Sequence, residues 1–127
     1  MKLLLDTHLL IWAAEAMSRV PHRARMLMAD PENELYFSAC SVWEVAIKHR
    51  LGNRFQLDPQ VWRRRLLENG YQELAITGEH AAATAALPAI HADPFDRLLV
   101  AQAVTEGVML LTADRIVARY PGTMAGI

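Results

Sequence analysis

Short apolar runs alternate along this chain with longer segments of helical spacing, the pattern of strand–helix units that build a parallel sheet. Lys2–Leu5 carries three leucines in a row with no polar alternation, as a strand buried on both faces should. His8–Ala16 and Val20–Ala29 then read as helices, with Pro21 tolerated in the first turn of the second. A turn at Asp30–Glu34 leads into a strand at Leu35–Ser38 and a helix at Ser41–Leu51 that stops at Gly52. Asp58, Pro59 and Gly70 supply the N-cap, the first position and the end of a helix over Pro59–Asn69. Tyr71–Ile76 reads as a third strand, and Glu79–Leu87 as a short helix ended by Pro88. The long apolar helix Pro94–Glu106 leads to a fourth strand at Val108–Thr112. A short helix around Arg115–Arg119 and an edge strand within Pro121–Ile127 close the pattern. No repeat, low-complexity tract or linker interrupts it, so one α/β domain over residues 1–127 is expected.

Composition narrows what such a domain can be. With 127 residues, 53% of them hydrophobic and 21% charged, the chain has apolar surface enough for a continuous core and is not a disordered one. Cys40 is the single cysteine, which excludes a disulfide framework. No apolar run reaches the roughly 18 residues of a membrane helix. Asp6 and His8 break the leading leucine run too early for a signal-peptide core. A cytoplasmic protein with no membrane partner is expected. The net charge of -1 hides an uneven distribution. Lys48, Arg50, Arg54, Arg63, Arg64 and Arg65 lie against Asp58 alone, inside an otherwise acidic chain. Three consecutive arginines fan over more than half of a helix, so a solvated helix face is the default and an RNA-backbone track the sharper alternative.

The acids are placed more tellingly than the bases. Ligands of open parallel sheets bind beyond the carboxyl ends of the strands, and Asp6 and Asp114 follow the first and fourth of them. Glu44 sits one helical turn beyond the second strand, while Asp93 and Asp96 open the long helix. Asp96 lies on the stripe of Val100, Ala103 and Gly107, where an unpartnered carboxylate is costly. Each acid also has a purely structural reading. Asp6, Asp93 and Asp114 suit N-caps, Ser41 with Glu44 fits a capping box, and Glu44 with Lys48 fits an i,i+4 ion pair. What favours chemistry is that all of them fall at one predicted sheet edge.

At these residues the sequence resembles PIN-domain ribonucleases and, within them, the VapC toxins of bacterial toxin–antitoxin pairs. The likeness rests on Leu4-Leu5-Asp6-Thr7-His8, on Ser41 through Lys48, on His91 through Leu99 with Asp93-Pro94-Phe95-Asp96 inside it, and on Leu111-Thr112-Ala113-Asp114. It implies a three-layer α/β/α domain around a central parallel sheet and a metal-dependent endoribonuclease. It also implies an acidic site of Asp6, Glu44 and Asp96, with Asp114 as the fourth acid, a cognate antitoxin as partner, and commonly a homodimer.

The chemistry agrees with that likeness. Phosphodiester cleavage develops negative charge, which an anionic pocket handles only through a cation. Carboxylates suit Mg²⁺ or Mn²⁺, whereas zinc wants nitrogen or sulfur ligands, and no histidine–cysteine constellation is evident. One or two such ions, held by Asp6, Glu44 and Asp96 with Asp114 direct or through water, are expected to act on RNA. Thr7, Asp93, Arg97 and Thr112 are supporting candidates: the hydroxyls for a carboxylate or water, Arg97 (like Arg115) for phosphate or a surface acid. His91 is read as a loop histidine near the substrate or merely solvated. Trp12, Trp43 and Trp62 are read as core or interface rather than as base-stacking platforms, and Met17, Met26 and Met28 with Trp12 as core or an adaptable apolar groove. Two other functions stay open: an aspartyl phosphotransferase using Asp6 as nucleophile, and a non-catalytic metal-binding signalling module. Asp6-Thr7-His8 lacks a second aspartate two positions on, and no glycine loop of the phosphate-cradling kind occurs.

Overall fold

The computed structural model describes residues 1–52, 57–121 and 124–126. Strands β1 (Lys2–Leu5), β2 (Glu34–Ser38), β3 (Gln72–Leu74), β4 (Met109–Thr112) and β5 (Met124–Gly126) form one sheet in the order β3-β2-β1-β4-β5. Every pairing is parallel. The helices are α1 (Thr7–Glu15), α2 (His22–Ala29), α3 (Ala39–Leu51), α4 (Pro59–Glu68), α5 (Gly78–Ala83) and α6 (Pro94–Glu106).

The leucine run of β1 shows why the helices fall into two layers. Leu3 pairs with Leu35, and Leu4 with Tyr36 on one side and Leu110 on the other, so β1 is central. Alternate side chains then point to opposite faces. Leu3 and Leu5 pack with Leu9 and Leu10 of α1, Ala24 of α2, and Trp62 and Leu66 of α4. Leu4 packs instead with Leu99, Val100 and Ala103 of α6 and with Val117 and Tyr120. All three leucines are fully buried. The result is a parallel sheet between two helical layers.

From β1 the chain steps through β2 to β3 at one edge, then returns past β1 to β4 and β5. The direction of winding reverses between β1 and β4, where a crevice opens at the carboxyl ends of such strands. Local capping sets what enters that crevice. Asp6 caps α1, accepting the Leu9 amide at 2.9 Å. Asp93 caps α6, accepting the Phe95 and Asp96 amides at 2.8 and 3.1 Å, with Pro94 at the first position. Gly52 and Gly107 end α3 and α6 at φ of 70° and 69°, which a β-carbon would strain.

Several boundaries differ from the sequence pattern. α3 begins at Ala39 because Ser38 is already extended and its hydroxyl accepts the Cys40 amide at 3.0 Å. Ser41 therefore lies inside the helix, and the expected Ser41–Glu44 capping box does not exist. A 3₁₀ turn at Met17–Arg19 precedes α2, which starts only at His22. The expected helix Glu79–Leu87 divides into α5 and a 3₁₀ turn at Thr84–Ala86, where the Thr84 hydroxyl bonds back to Ala81 O at 2.7 Å. Near the chain's end the short helix is a 3₁₀ turn at Val117–Arg119. Within Pro121–Ile127, β5 covers Met124–Gly126, while residues 122, 123 and 127, like Arg54, lie outside the described residues. Of the basic segment, Arg63 forks onto Glu73 of β3 at 2.6 and 2.9 Å. No described helix is long and apolar enough to cross a membrane.

Candidate active site

Parallel strands deliver the residues that follow them to one edge, and the helix leading into β4 starts there too. Asp6 leaves β1, Glu44 rides on α3 just past β2, Asp114 follows β4, and Asp93 and Asp96 open α6. Asp6 is only 4% exposed. Its Oδ1 accepts the Leu9 amide, and its Oδ2 accepts the Thr112 hydroxyl. That hydroxyl in turn accepts the Asp114 amide at 3.0 Å, so one side chain links the first and fourth acids. Asp114 turns its Oδ1 onto the amides of Ile116 and Val117 at 2.7 and 3.3 Å. Asp96 Oδ2 lies 2.9 Å from His91 Nε2. Glu44 is buried, with Oε2 3.4 Å from Lys48 Nζ, and its Oε1 finds no hydrogen-bond donor among the described residues.

The charges act on one another. Burial raises the Asp6 carboxyl above its ordinary range and the Asp114 charge adds to it, against the Thr112 hydroxyl, the Leu9 amide and His8. Asp96 is pushed up to about 6, by burial first and then by Asp93, with Glu44 and Asp6 adding and His91 opposing. Burial, with Glu44, Asp96 and Asp93, drives the nearby Cys40 thiol up to about 12. These are the marks of carboxylates crowded where solvent cannot screen them. The structure thus gathers Asp6, Glu44, Asp93, Asp96 and Asp114 into one neighbourhood.

Whether that neighbourhood suits a divalent cation can be judged on two features. Donor atoms of His91, Asp96 and Asp114 all lie within 4.8 Å of one another. The orphaned Glu44 Oε1 is a buried acceptor, and leaving one unsatisfied costs about 1–3 kcal/mol. An oxygen-rich set with one imidazole fits a divalent cation.

The supporting candidates separate. Thr112 does bond a carboxylate. Thr7 does not: its hydroxyl meets that of Ser41 at 2.8 Å, joining α1 to α3 behind the acids. Asp93 acts as the α6 cap. Arg97 pairs with no acid among the described residues; its guanidinium meets Thr84 O at 2.8 Å, Pro88 O at 2.9 Å and the Tyr120 hydroxyl at 3.2 Å. His91 is more than a loop residue, since it pairs with Asp96; its place two positions before Asp93 was the only hint in the sequence. Trp62 is core, but Trp43 is 57% exposed and meets Phe95 edge-on. A cavity of about 640 Å³, lined in part by Leu10, Met17, Met28, Trp62 and Tyr71, lies under α1, α2 and α4, and none of the acids of the site lines it. Met26 is exposed, and Trp12 packs at the edge of the first cluster with Arg19 over its ring at 4.7 Å.

With this geometry in place, comparisons with known proteins converge. The family model described as PIN domain matches residues 3–122. Among solved structures, VapBC2 from Rickettsia felis bound to a promoter DNA fragment superposes with a TM-score of 0.74 at 14% identity, covering 99% of this chain and 98% of that one. DNA-bound VapBC from Salmonella typhimurium gives 0.67 at 18% identity, with 99% and 98% covered. A toxin–antitoxin complex from Klebsiella pneumoniae gives 0.63 at 21% identity, with 96% and 94% covered. At these identities the likeness is one of fold. No curated protein matches the sequence significantly.

Proposed function

The chain belongs to the PIN-domain family, and from that premise we propose that it is a divalent-cation-dependent endoribonuclease serving as the toxin of a toxin–antitoxin pair. The single observation that carries the chemistry is the buried, unsatisfied Oε1 of Glu44 beside carboxylates that raise one another's proton affinity. Asp6, Glu44 and Asp96 would hold Mg²⁺ or Mn²⁺, with Asp114 direct or through water. Such an ion, when bound, lowers the pKa of attacking water and neutralises charge on the phosphate.

The chain's own contribution is placement. Thr112 and the Leu9 amide fix the two oxygens of Asp6, and the Asp93 cap fixes the turn from which Asp96 projects. The Thr7–Ser41 hydroxyl pair holds α1 and α3 in register, so Asp6 and Glu44 keep their relation. Against an aspartyl phosphotransferase, the chain has no second aspartate two positions after Asp6. The partners proposed are RNA as substrate, a cognate antitoxin and a second copy of this chain, in the cytoplasm. The antitoxin is suggested by the VapBC and toxin–antitoxin complexes that share the fold.

Purified protein incubated with single-stranded RNA and Mg²⁺, Mn²⁺ or chelator tests this reading. Cleavage is expected with either ion, and not with chelator, Asp6→Asn or Glu44→Gln. Cleavage by Asp6→Asn at the wild-type rate would falsify the assignment, and metal binding without any cleavage would favour a signalling module.

A further inference from the structure

Trp43 is a large apolar side chain left mostly in solvent at the rim of the acidic site. It immediately precedes Glu44 on α3, and Phe95, against which it leans, immediately precedes Asp96 on α6. The two rings sit with centroids 5.1 Å apart and planes at 66°, an edge-on contact that orients the indole without covering it. Phe95 itself is anchored against the second core cluster. An indole so braced is a rigid apolar plane on residues that adjoin Glu44 and Asp96 in the chain.

We propose that Trp43, braced by Phe95, stacks an unpaired nucleobase flanking the phosphodiester that is cleaved at Asp6, Glu44 and Asp96. The proposal rests on the ribonuclease reading above and names how the substrate is gripped. Charge is the reason for choosing a base. A bound cation would answer the phosphate at the acids, while the nearby cationic side chains are engaged: Lys48 with Glu44, His91 with Asp96, and Arg97 with main-chain carbonyls. The exposed indole is left for an uncharged part of the substrate, and every base offers a π-face to an aromatic ring. The rival occupant is a protein: Ile47 and Leu51 continue the Trp43 side of α3 at helical spacing and are also exposed. A protein contact would cover all three, whereas a base needs Trp43 alone.

The test uses the full chain, wild type, Trp43→Phe and Trp43→Ala, on short single-stranded oligoribonucleotides with Mn²⁺, including a set with one abasic position at a time. Trp43→Ala is expected to raise KM about tenfold, in line with one lost base–aromatic stack, with kcat changed less than about twofold. Trp43→Phe keeps most of the affinity. One abasic position next to the cleaved bond should weaken the wild type and make no difference to Trp43→Ala. An unchanged KM, or an abasic profile identical in wild type and Trp43→Ala, overturns the proposal. So does Ile47→Ala raising KM as much as Trp43→Ala while sedimentation shows a dimer falling apart, which assigns the face to a second copy. A binding arm keeps this separate from the ribonuclease reading: anisotropy of a labelled oligoribonucleotide with Asp6→Asn, with and without Trp43→Ala. If the wild type cuts nothing yet Trp43→Ala still weakens binding about tenfold, cleavage fails and stacking stands; if binding is also indifferent to Trp43, stacking fails as well.

Discussion

Thr112 donates its hydroxyl to Asp6 across the crevice between β4 and β1. Because the same oxygen accepts the Asp114 amide, it orients two acids at once. Thr112→Val removes the hydroxyl at nearly constant shape and leaves a buried carboxylate oxygen and an amide without partners. Stability is expected to fall by about 1–3 kcal/mol in urea denaturation. The Mn²⁺ concentration for half-maximal cleavage should rise roughly 10- to 100-fold, the usual effect of losing a group that orients a metal ligand. Thr112→Ser should restore both.

Crowded carboxylates also predict a trade between stability and function. In chelator, Glu44→Gln removes one of the charges that raise Asp96 and gives the orphaned position a neutral amide. The variant should then be more stable than wild type by about 1–2 kcal/mol, or roughly 3–8 °C in Tm. Mn²⁺ should raise the Tm of the wild type and raise that of Glu44→Gln far less. A wild-type Tm indifferent to the ion would contradict the cation site.

The acids were readable because strand ends and helix starts are written locally: Asp6 directly follows the leucine strand, and Asp93-Pro94 announces α6. Their gathering at one edge followed from the parallel topology that the βα alternation implied. What escaped depends on contacts remote in sequence. The Thr7–Ser41 pair spans 34 positions and the Arg97–Tyr120 contact 23, and nothing in local spacing anticipates either. Spacing points to Ser41 as the cap of α3, whereas the backbone gives that place to Ser38, the last residue of the expected strand. Trp43 reads as core or interface rather than as a base-stacking platform; the structure excludes the core, because the indole is largely exposed on α3.

A second buried polar chain runs beneath the site. Gln102 is fully buried; its Oε1 accepts the Ser38 hydroxyl at 2.5 Å, and its Nε2 donates to Ala75 O at 3.3 Å. Beyond it, buried His80 accepts the Thr77 amide on Nδ1 and reaches Glu106 through Nε2 at 2.9 Å. Gln102→Leu keeps the bulk but leaves the proton of the buried Ser38 hydroxyl without an acceptor. A loss of about 1–3 kcal/mol in equilibrium unfolding is expected. A loss under about 0.5 kcal/mol, the size of an ordinary surface change, would mean that water takes over those bonds.

Arg97 gives the sharpest separation between a phosphate ligand and a structural clamp. Its three nearest acceptors belong to Thr84, Pro88 and Tyr120, and His91, which pairs with Asp96, lies at the end of the segment it ties down. Arg97→Ala should therefore speed amide exchange across residues 84–93 and weaken cleavage by loosening His91. RNA affinity should keep its salt dependence, because no backbone phosphate loses a cation. A phosphate contact would behave otherwise, flattening the log–log salt slope by about 0.7 for a single strand. Arg97→Lys discriminates further. A lysine retains the charge but not the planar fork that reaches several carbonyls at once, so it should fail to restore slow exchange if Arg97 is a clamp and should restore RNA affinity if it is a phosphate ligand.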